Sequence, residues 1–329
     1  MAGQQQTAPD DGGSADGRND RPDPATEAFL AHRNLLFTVA YEMLGSAADA
    51  EDVLQETWLR WAGVDLAAVR DFRPYLVRIT TRQALARLRS LGRRRESYVG
   101  PWLPEPLMPD DMRVLAADTP AAQAELASDL SMALLHVLER LSPEERAAFI
   151  LHDAFDCEYA EIANMLGKNE PACRKLVSRA RERVKTDRPR YSVSKDAHHA
   201  MFARFMAAVA EATPNAFQAL FADDIVFYSD GGGRVPAAIN PVRGADRVAR
   251  LLAGLMRKFP MQEKPELAIM EINNRLSVVA TIAGAIYTII TIEVEGDRIT
   301  AIYAMRNPEK LSRAAGALLE LNHTRHGRA

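Results

Sequence analysis

Acidic and basic side chains are segregated along this chain, and each group suits a different kind of binding. Residues 34–59 hold five acids and no lysine or arginine, whereas residues 78–95 hold seven arginines and no acid. The five acids are Glu42, Asp49, Glu51, Asp52 and Glu56. The seven arginines are Arg78, Arg82, Arg87, Arg89, Arg93, Arg94 and Arg95. An acidic surface suits a protein partner and a basic one suits phosphates, although the net charge of -3 averages the two.

A third charged segment, residues 168–190, carries nine basic residues against three acids. It lies in a predicted helix-turn-helix, with helices at 159–166 and 171–184 joined by a short turn that contains Gly167. In such units the second helix enters the major groove. Contacts to base edges are predicted for Asn169, Glu170, Arg174 and Lys175. Contacts to phosphates are predicted for Arg179, Arg181 and Arg183. A solvated basic helix is the alternative interpretation.

Side chains suited to metal or redox chemistry are sparse. The two cysteines, Cys157 and Cys173, form no CxxC motif, and none of the seven histidines belongs to an HExxH motif. The sequence therefore predicts no metal site, no cofactor and no structural disulfide. It also predicts a reducing, cytoplasmic compartment. The first 25 residues lack an apolar stretch, so we expect a disordered tail at 1–25 and no membrane segment.

Three helices are predicted to position the acids and arginines in a domain at 26–96. The first, 26–44, ends at Gly45, and the second begins at the N-cap Ser46 and buries Trp58 and Trp61. The third covers 72–91 and presents the arginines on its outer face.

A proline-rich linker is predicted at 97–122, followed by a second helical domain at 123–190. The linker contains Trp102, Leu103 and Leu107, which are too apolar to remain exposed, so we expect them to dock on another surface. The second domain is predicted to open with a helix at 124–140, followed by a capping box of Ser142 and Glu145.

Residues 196–329 are predicted to form a separate α+β domain. Helices at 197–211, 215–221 and 245–259 are followed by strands at 266–273, 276–283, 285–294 and 298–306. One further strand is predicted at 224–228.

Several motifs resemble those of bacterial RNA polymerase sigma factors. Residues 49–58, DAEDVLQETW, resemble the helix with which sigma factors bind the clamp of core polymerase, and the helix-turn-helix resembles region four of the extracytoplasmic-function (ECF) group. WLPEP at 102–106 resembles the linker signature of the SigJ-like ECF subfamily. DGGGR at 230–234 and NPEKL at 307–311 resemble that subfamily's DGGGK and NPDKL motifs.

The resemblance implies a sigma factor that directs core RNA polymerase to specific promoters. It implies a multidomain fold of two all-α sigma domains, regions two and four, plus a C-terminal SnoaL-like or NTF2-like α+β cone. Contacts to the clamp of the largest polymerase subunit are expected from Asp49, Asp52, Gln55 and Glu56. Contacts to promoter DNA are expected from Arg78, Arg82, Arg87 and Arg89.

The resemblance also implies that the C-terminal domain regulates the sigma domains in cis. Because the apolar linker needs a covering surface, we further hypothesise that the surface carrying the DGGGR and NPEKL motifs contacts it. On the linker the expected contact residues are Trp102, Leu103 and Pro104. On the C-terminal domain they are Asp230, Gly231, Gly232, Gly233, Arg234, Asn307, Pro308, Glu309 and Lys310. An unidentified small molecule or protein remains open as a further partner of this domain.

Two other functions remain open at this point: a dimeric helix-turn-helix repressor with a ligand-binding C-terminal domain, and a SnoaL-like enzyme fused to a DNA-binding module. The repressor leaves the acidic and arginine helices unexplained. For the enzyme, Asp224, Tyr228 and Asp230 are the only acid or base candidates early in the fold, and residues 200–322 contain no histidine. The sequence therefore predicts no catalytic residues.

Overall fold

The computed structural model describes residues 23–95, 97–109, 111, 131–187, 193–258 and 265–314. The predicted tail, as far as residue 22, lies outside these residues, as do the side chains of Arg93, Arg94 and Arg95. Three helices form a first helical block: α1 (Pro24–Leu44), α2 (Ala47–Trp61) and α3 (Phe72–Arg95).

The predicted boundary between α1 and α2 is confirmed. Gly45 adopts a left-handed conformation (φ 64°) and donates its N–H to Tyr41, while the Ser46 hydroxyl accepts a hydrogen bond from the Asp49 N–H. Trp61 is fully buried and its indole N–H donates to the Ala25 carbonyl at 2.7 Å. Trp58 is only half-buried, because it packs edge-on against Phe29 at the rim of the core, so the prediction that both tryptophans are buried was wrong for this one.

A second helical block comprises α4 (Met132–Leu138), α5 (Pro143–Phe149), a π-helical turn (Ile150–Ala154), α6 (Tyr159–Leu166) and α7 (Glu170–Asp187). The predicted capping box of Ser142 and Glu145 is confirmed. The prediction of one continuous helix through 124–140 was wrong. Ser131 has an extended backbone and caps α4 through its hydroxyl, so a helix cannot run through it. Residues 124–130 lie outside the described part of the chain.

The two helical blocks share one hydrophobic core. Leu36 of α1 and Leu88 of α3 belong to the same buried cluster as Leu135 of α4 and Val177 of α7. Helix α3 lies between the blocks and contacts both α5 and α6. The two helical blocks therefore pack directly against each other.

The C-terminal domain is a six-stranded sheet covered on one face by helices α8 (Lys195–Glu211), α9 (Pro214–Gln218) and α10 (Ala245–Lys258). Its strands are β1 (Phe221–Asp230), β2 (Val242–Arg243), β3 (Glu266–Ile272), β4 (Arg275–Ile282), β5 (Ala285–Glu295) and β6 (Arg298–Met305). The order is β2-β1-β6-β5-β4-β3, and β1 and β6 are parallel while the other neighbours are antiparallel. The predicted α+β fold is confirmed; the two-residue strand β2 was not predicted.

The opposite face of the sheet covers the linker. Because successive strand residues point to opposite faces, Ile302 packs under the helices whereas Tyr303 and Met305 pack against Leu103 and Met132. Four residues beyond Leu103, Leu107 is buried in the core of the helical blocks. The described part of the linker thus runs between the C-terminal sheet and the two helical blocks.

Candidate functional site

Asp230, at the end of β1, is a fully buried carboxylate that holds the linker. Its oxygens accept hydrogen bonds from the Tyr98 hydroxyl at 2.6 Å and from the Leu103 N–H at 2.9 Å. They also accept from the Lys310 ammonium at 2.7 Å and from the Gly232 N–H at 3.0 Å. A buried carboxylate is tolerated only when it is paired and hydrogen-bonded in this way.

Lys310 connects the same carboxylate to the linker backbone and to an aromatic ring. Its ammonium donates to the Leu103 carbonyl and lies 3.8 Å from the centroid of the Trp102 ring, which is within cation–π range. The Asn307 side-chain amide donates to the Tyr98 hydroxyl at 2.9 Å. Burial and the hydrogen bond to Asp230 raise the pKa of Tyr98, so the phenol stays protonated and remains a donor.

The three glycines after Asp230 let the turn approach its neighbours closely. A Cβ on Gly232 would meet the side chain of Asn307, and one on Gly233 would lie 3.3 Å from Val99 of the linker. Among the other predicted contact residues, Leu103 and Pro104 are buried, whereas Pro308 is exposed. Arg234 and Glu309 form an exposed ion pair with each other at 2.8 Å.

Glu105 holds the linker to the first helical block. Its carboxylate accepts hydrogen bonds from the Ala47 N–H at 2.8 Å and the Ser46 hydroxyl at 3.0 Å, at the N-terminus of α2. A carboxylate at this end of a helix is stabilised by the unpaired N–H groups and by the helix dipole. The Glu105 backbone completes the contact, because its N–H donates to Gly45 and its carbonyl accepts from the Tyr41 hydroxyl at 2.6 Å.

Asn273, in the β3–β4 turn, joins all three parts of the molecule. Its side-chain amide donates to the Tyr41 hydroxyl at 3.1 Å, and its side-chain oxygen accepts from the Leu107 N–H at 3.1 Å. The C-terminal domain therefore contacts the first block directly as well as through the linker. Sequence reasoning missed four of these contact residues. They are Tyr41, Tyr98, Glu105 and Asn273. Glu105 could have been noticed as a lone acid in an apolar, proline-rich stretch.

The predicted polymerase-binding acids lie on the exposed face of α2, but two of them are paired with an arginine of α3. Arg87 donates to Asp49 at 2.6 Å and to Asp52 at 2.8 Å, and the hydrogen bond to Asp49 raises the pKa of Arg87. Glu56 accepts from Gln83 at 2.8 Å, and Gln55 is exposed.

Other arginines of α3 contact the second block. The Arg82 guanidinium donates to the carbonyls of Asn164 at 3.0 Å and Met165 at 3.3 Å, where it interacts favourably with the negative end of the α6 dipole. Arg89 donates to Glu144 at 2.6 Å and thereby lowers the pKa of that carboxyl. Arg78 stacks on the ring of its neighbour in the helix, Tyr75, at 4.6 Å.

In the helix-turn-helix, the residues predicted to read bases are exposed. Asn169 caps α7 by accepting from the Ala172 N–H at 2.9 Å, and Arg174 pairs with Glu170 and stacks on the Tyr159 ring. Lys175 is also exposed and lines a shallow surface pocket with Lys168 and Arg179.

The residues predicted to bind phosphates are paired with acids of the second block. Arg179 and Arg183 both contact Glu145, at 3.3 and 2.9 Å, and Arg181 contacts Asp153 at 2.5 Å.

Metal ligands are not clustered in the described residues: no three His, Cys, Asp or Glu side chains there are grouped to hold an ion. Cys157 and Cys173 are free thiols, and burial raises the pKa of Cys157 to about 11. No helix among the described residues is long and apolar enough to cross a membrane.

Comparison with known proteins identifies the family. The family Sigma-70 region 2 matches residues 28–94, and Sigma-70, region 4 matches residues 131–184. The ECF RNA polymerase sigma factor SigJ of Mycobacterium tuberculosis is 41% identical over 232 residues, which cover 70% of this chain and 73% of SigJ. The probable ECF RNA polymerase sigma factor SigI of the same organism is 29% identical over 294 residues, which cover 88% of this chain and 95% of SigI.

A solved structure resembles nearly the whole molecule. The crystal structure of the Mycobacterium tuberculosis ECF sigma factor SigJ superposes with a TM-score of 0.69 at 33% sequence identity, over 87% of this chain and 98% of that one. A match over 87% of the chain is too long to be confined to the helical blocks, so it includes part of the C-terminal α+β domain. Together these matches show that the chain belongs to the ECF RNA polymerase sigma factors, in the SigJ-like group with a SnoaL-like C-terminal domain.

Proposed function

We propose that this sigma factor brings core RNA polymerase to promoters, and that its C-terminal domain holds sigma regions 2 and 4 in a closed, inactive arrangement. The observation that carries the proposal is that the linker is held on both sides. Asp230 binds it to the C-terminal sheet, and Glu105, two residues beyond Leu103, binds it to α2. The C-terminal domain thereby fixes the spacing of the two regions.

In the closed state several groups proposed to bind polymerase or DNA are occupied. We propose that Asp49, Asp52, Gln55 and Glu56 contact the clamp of the largest polymerase subunit. The exposed α2 face supports this, but Arg87 must release Asp49 and Asp52 first.

The groups proposed to bind DNA are also occupied in the closed state. We propose that the α3 arginines bind the promoter once regions 2 and 4 separate, because Arg82 and Arg89 now donate to region 4. The exposed α7 residues Asn169, Glu170, Arg174 and Lys175 are proposed to read bases, and Arg179, Arg181 and Arg183 to bind phosphates. Polymerase and promoter would thus shift the equilibrium toward the open form, for which they have the higher affinity.

We propose no catalytic role for the C-terminal domain. Asp230 accepts hydrogen bonds from two linker groups and from two groups of its own domain, Tyr228 is stacked on Tyr303, and Asp224 is exposed. As a partner of polymerase and DNA, the protein is proposed to work in the cytoplasm. Neither the repressor nor the enzyme is favoured, because each leaves the region 2 match unexplained.

The test is run-off transcription with purified core polymerase and a promoter from near the protein's own gene. The full chain is compared with its Asp230→Asn variant and with a chain that ends at Lys195. We expect transcripts that depend on the added protein, and more of them from both altered chains, because each loses the contact that holds the linker. An Arg234→Met variant, which breaks only an exposed ion pair, is the matched control and should behave as the wild type.

Absence of any transcript, together with absence of binding to core polymerase, would reject the sigma function. Equal output from the wild type, Asp230→Asn and the shortened chain would leave the sigma function standing and reject cis inhibition. Less output from the altered chains would show that the C-terminal domain assists initiation.

A further inference from the structure

The C-terminal domain contains a cavity between α10 and the sheet that the sigma function does not use. It measures about 310 Å³, at the lower end of the roughly 300 to 1,000 Å³ typical of small-molecule sites. Apolar side chains form most of its wall. From α10 these are Leu251, Leu252, Leu255 and Met256, and from the strands Phe227 and Ile290.

One cation lines this cavity, and no acid does. Arg306, just after β6, stacks its guanidinium on the Tyr287 ring at 4.4 Å and donates from one terminal nitrogen to the Pro236 carbonyl. Its Nε is buried and has no hydrogen-bond partner among the described residues. A guanidinium in an otherwise apolar wall favours a ligand that supplies an acceptor, and the buried Nε pairs with that acceptor only if the side chain turns toward the cavity.

We propose that this cavity binds a small apolar monocarboxylate, with its carboxylate on Arg306 and its hydrocarbon chain along Leu251 and Leu255. A guanidinium matches a carboxylate in shape and charge and can bind both of its oxygens. The single cation in the wall favours a single negative charge on the ligand. The apolar remainder favours a hydrocarbon body over a sugar or a nucleotide.

The loop that forms part of the cavity wall also contacts the linker. A ligand in the cavity can therefore change the position of the linker. Pro236 and Ala238 line the cavity, and the next residue, Ile239, lies against Gly100 of the linker, where an added Cβ would be 3.5 Å from the Ile239 Cα. The Arg306 backbone N–H donates to the carbonyl of Asp230 at 2.8 Å. A carboxylate that competes with the Pro236 carbonyl for Arg306 shifts the same loop that supports the linker.

The test is isothermal titration calorimetry of the full chain with octanoate, with octan-1-ol and octylammonium as probes that lack the carboxylate. We expect octanoate to bind well above both. Arg306→Met should weaken octanoate binding about tenfold or more, in line with loss of a charged hydrogen bond. Arg250→Met is the matched control, because Arg250 lies on the same domain but forms an exposed ion pair with Asp246. The affinity of this variant for octanoate should equal that of the wild type.

A second variant tests the site independently, in case Arg306→Met fails to fold. Leu255→Trp fills the cavity from a half-buried position on α10 and should abolish octanoate binding while thermal unfolding stays cooperative. Absence of octanoate binding to the wild type, or equal losses in Arg306→Met and Arg250→Met, would overturn the site.

The coupling between the cavity and the linker is tested by amide hydrogen exchange at residues 98–103. Octanoate should change exchange of these amides in the wild type and not in Arg306→Met. Binding without such a change would overturn the coupling to the linker. None of these measurements involves polymerase, so failure here leaves the proposed sigma function untouched.

Discussion

Lys310 and Asp230 form an ion pair of 2.7 Å in which the Asp230 side chain is fully buried and the Lys310 side chain is 12% exposed. Both residues belong to the C-terminal domain, yet both also bind Leu103 of the linker. The pair therefore contributes to the stability of its own domain and to the attachment of the linker.

Replacing Lys310 with Met should destabilise the protein by about 3 to 5 kcal/mol, because Asp230 is left buried without its cation. The measurement is urea unfolding of the full chain, combined with proteolysis of the linker, which should become faster. Arg234→Met removes a cation from the neighbouring pair, whose partners are 66% and 67% exposed, and should cost less than about 1 kcal/mol. Equal effects of the two substitutions would contradict the role given to Lys310.

Gly45→Ala tests how closely the linker approaches α1. Gly45 and Gly167 both end helices with positive φ angles of 64° and 65°, so an alanine at either position should cost about 1 to 2 kcal/mol of backbone strain. Only at Gly45 would the new Cβ meet the linker, 2.5 Å from Cη2 of Trp102, whereas at Gly167 it meets nothing within 4 Å.

The Gly45→Ala variant should therefore lose more stability than Gly167→Ala and should also displace Trp102. Chemical denaturation gives the first quantity and the emission wavelength of tryptophan gives the second. If the two variants are equally stable and have identical emission spectra, Trp102 does not pack on Gly45 in solution.

Local patterns in the sequence were sufficient to predict most elements of this fold. The caps at Gly45, Ser46 and Ser142 follow from backbone chemistry within four residues, and alternation of apolar residues predicts the long strands. Local patterns cannot predict which charged residues from distant parts of the chain form ion pairs. Arg89 faces Glu144 only because α3 packs between the two blocks.

Asp230 shows the same limit within the candidate site. Its role as the start of a glycine turn could be predicted, since its carboxylate accepts from the Gly232 N–H. Its contacts with Tyr98 and Leu103 could not, because they depend on a linker more than a hundred residues earlier in the chain. The apolar composition of the linker predicted that it would dock on another surface, but it did not predict which atoms would meet.

Arg87→Met should increase the affinity of the full chain for core polymerase. The substitution releases Asp49 and Asp52, the two acids proposed to bind the clamp, from their pairs with Arg87. These pairs are partly exposed and worth up to about 1 kcal/mol, so the expected gain is no more than about fivefold. Fluorescence anisotropy of a labelled chain, titrated with core polymerase in the absence of DNA, measures it.

Arg33→Met is the matched control for this experiment. Arg33 of α1 pairs at 2.8 Å with Glu51 of α2, the helix that also carries Asp49 and Asp52. Glu51 is outside the proposed polymerase-binding set, so the affinity of Arg33→Met for core polymerase should equal that of the wild type. Asp52→Asn should weaken binding. A lower affinity for Arg87→Met than for Arg33→Met would indicate that Arg87 itself contacts polymerase.

His198 makes the stability of the C-terminal domain depend on pH. Its ring is buried on α8 and lies 3.3 Å from the Ile292 carbonyl, and burial lowers the pKa of His198 although the hydrogen bond to Ile292 opposes the shift. The unfolded chain takes up a proton near pH 6.5, whereas the folded domain resists it. Stability is therefore fully present above about pH 6.5 and is lost as the pH falls toward the lowered pKa of the folded state.

Scanning calorimetry of the full chain between pH 8 and 5.5 should show a falling unfolding temperature for the C-terminal domain, and a smaller fall in His198→Gln, which retains a donor for Ile292. Other groups titrate in both chains, so their contributions cancel in the difference. Parallel curves for the wild type and His198→Gln would mean that His198 is not held neutral by burial.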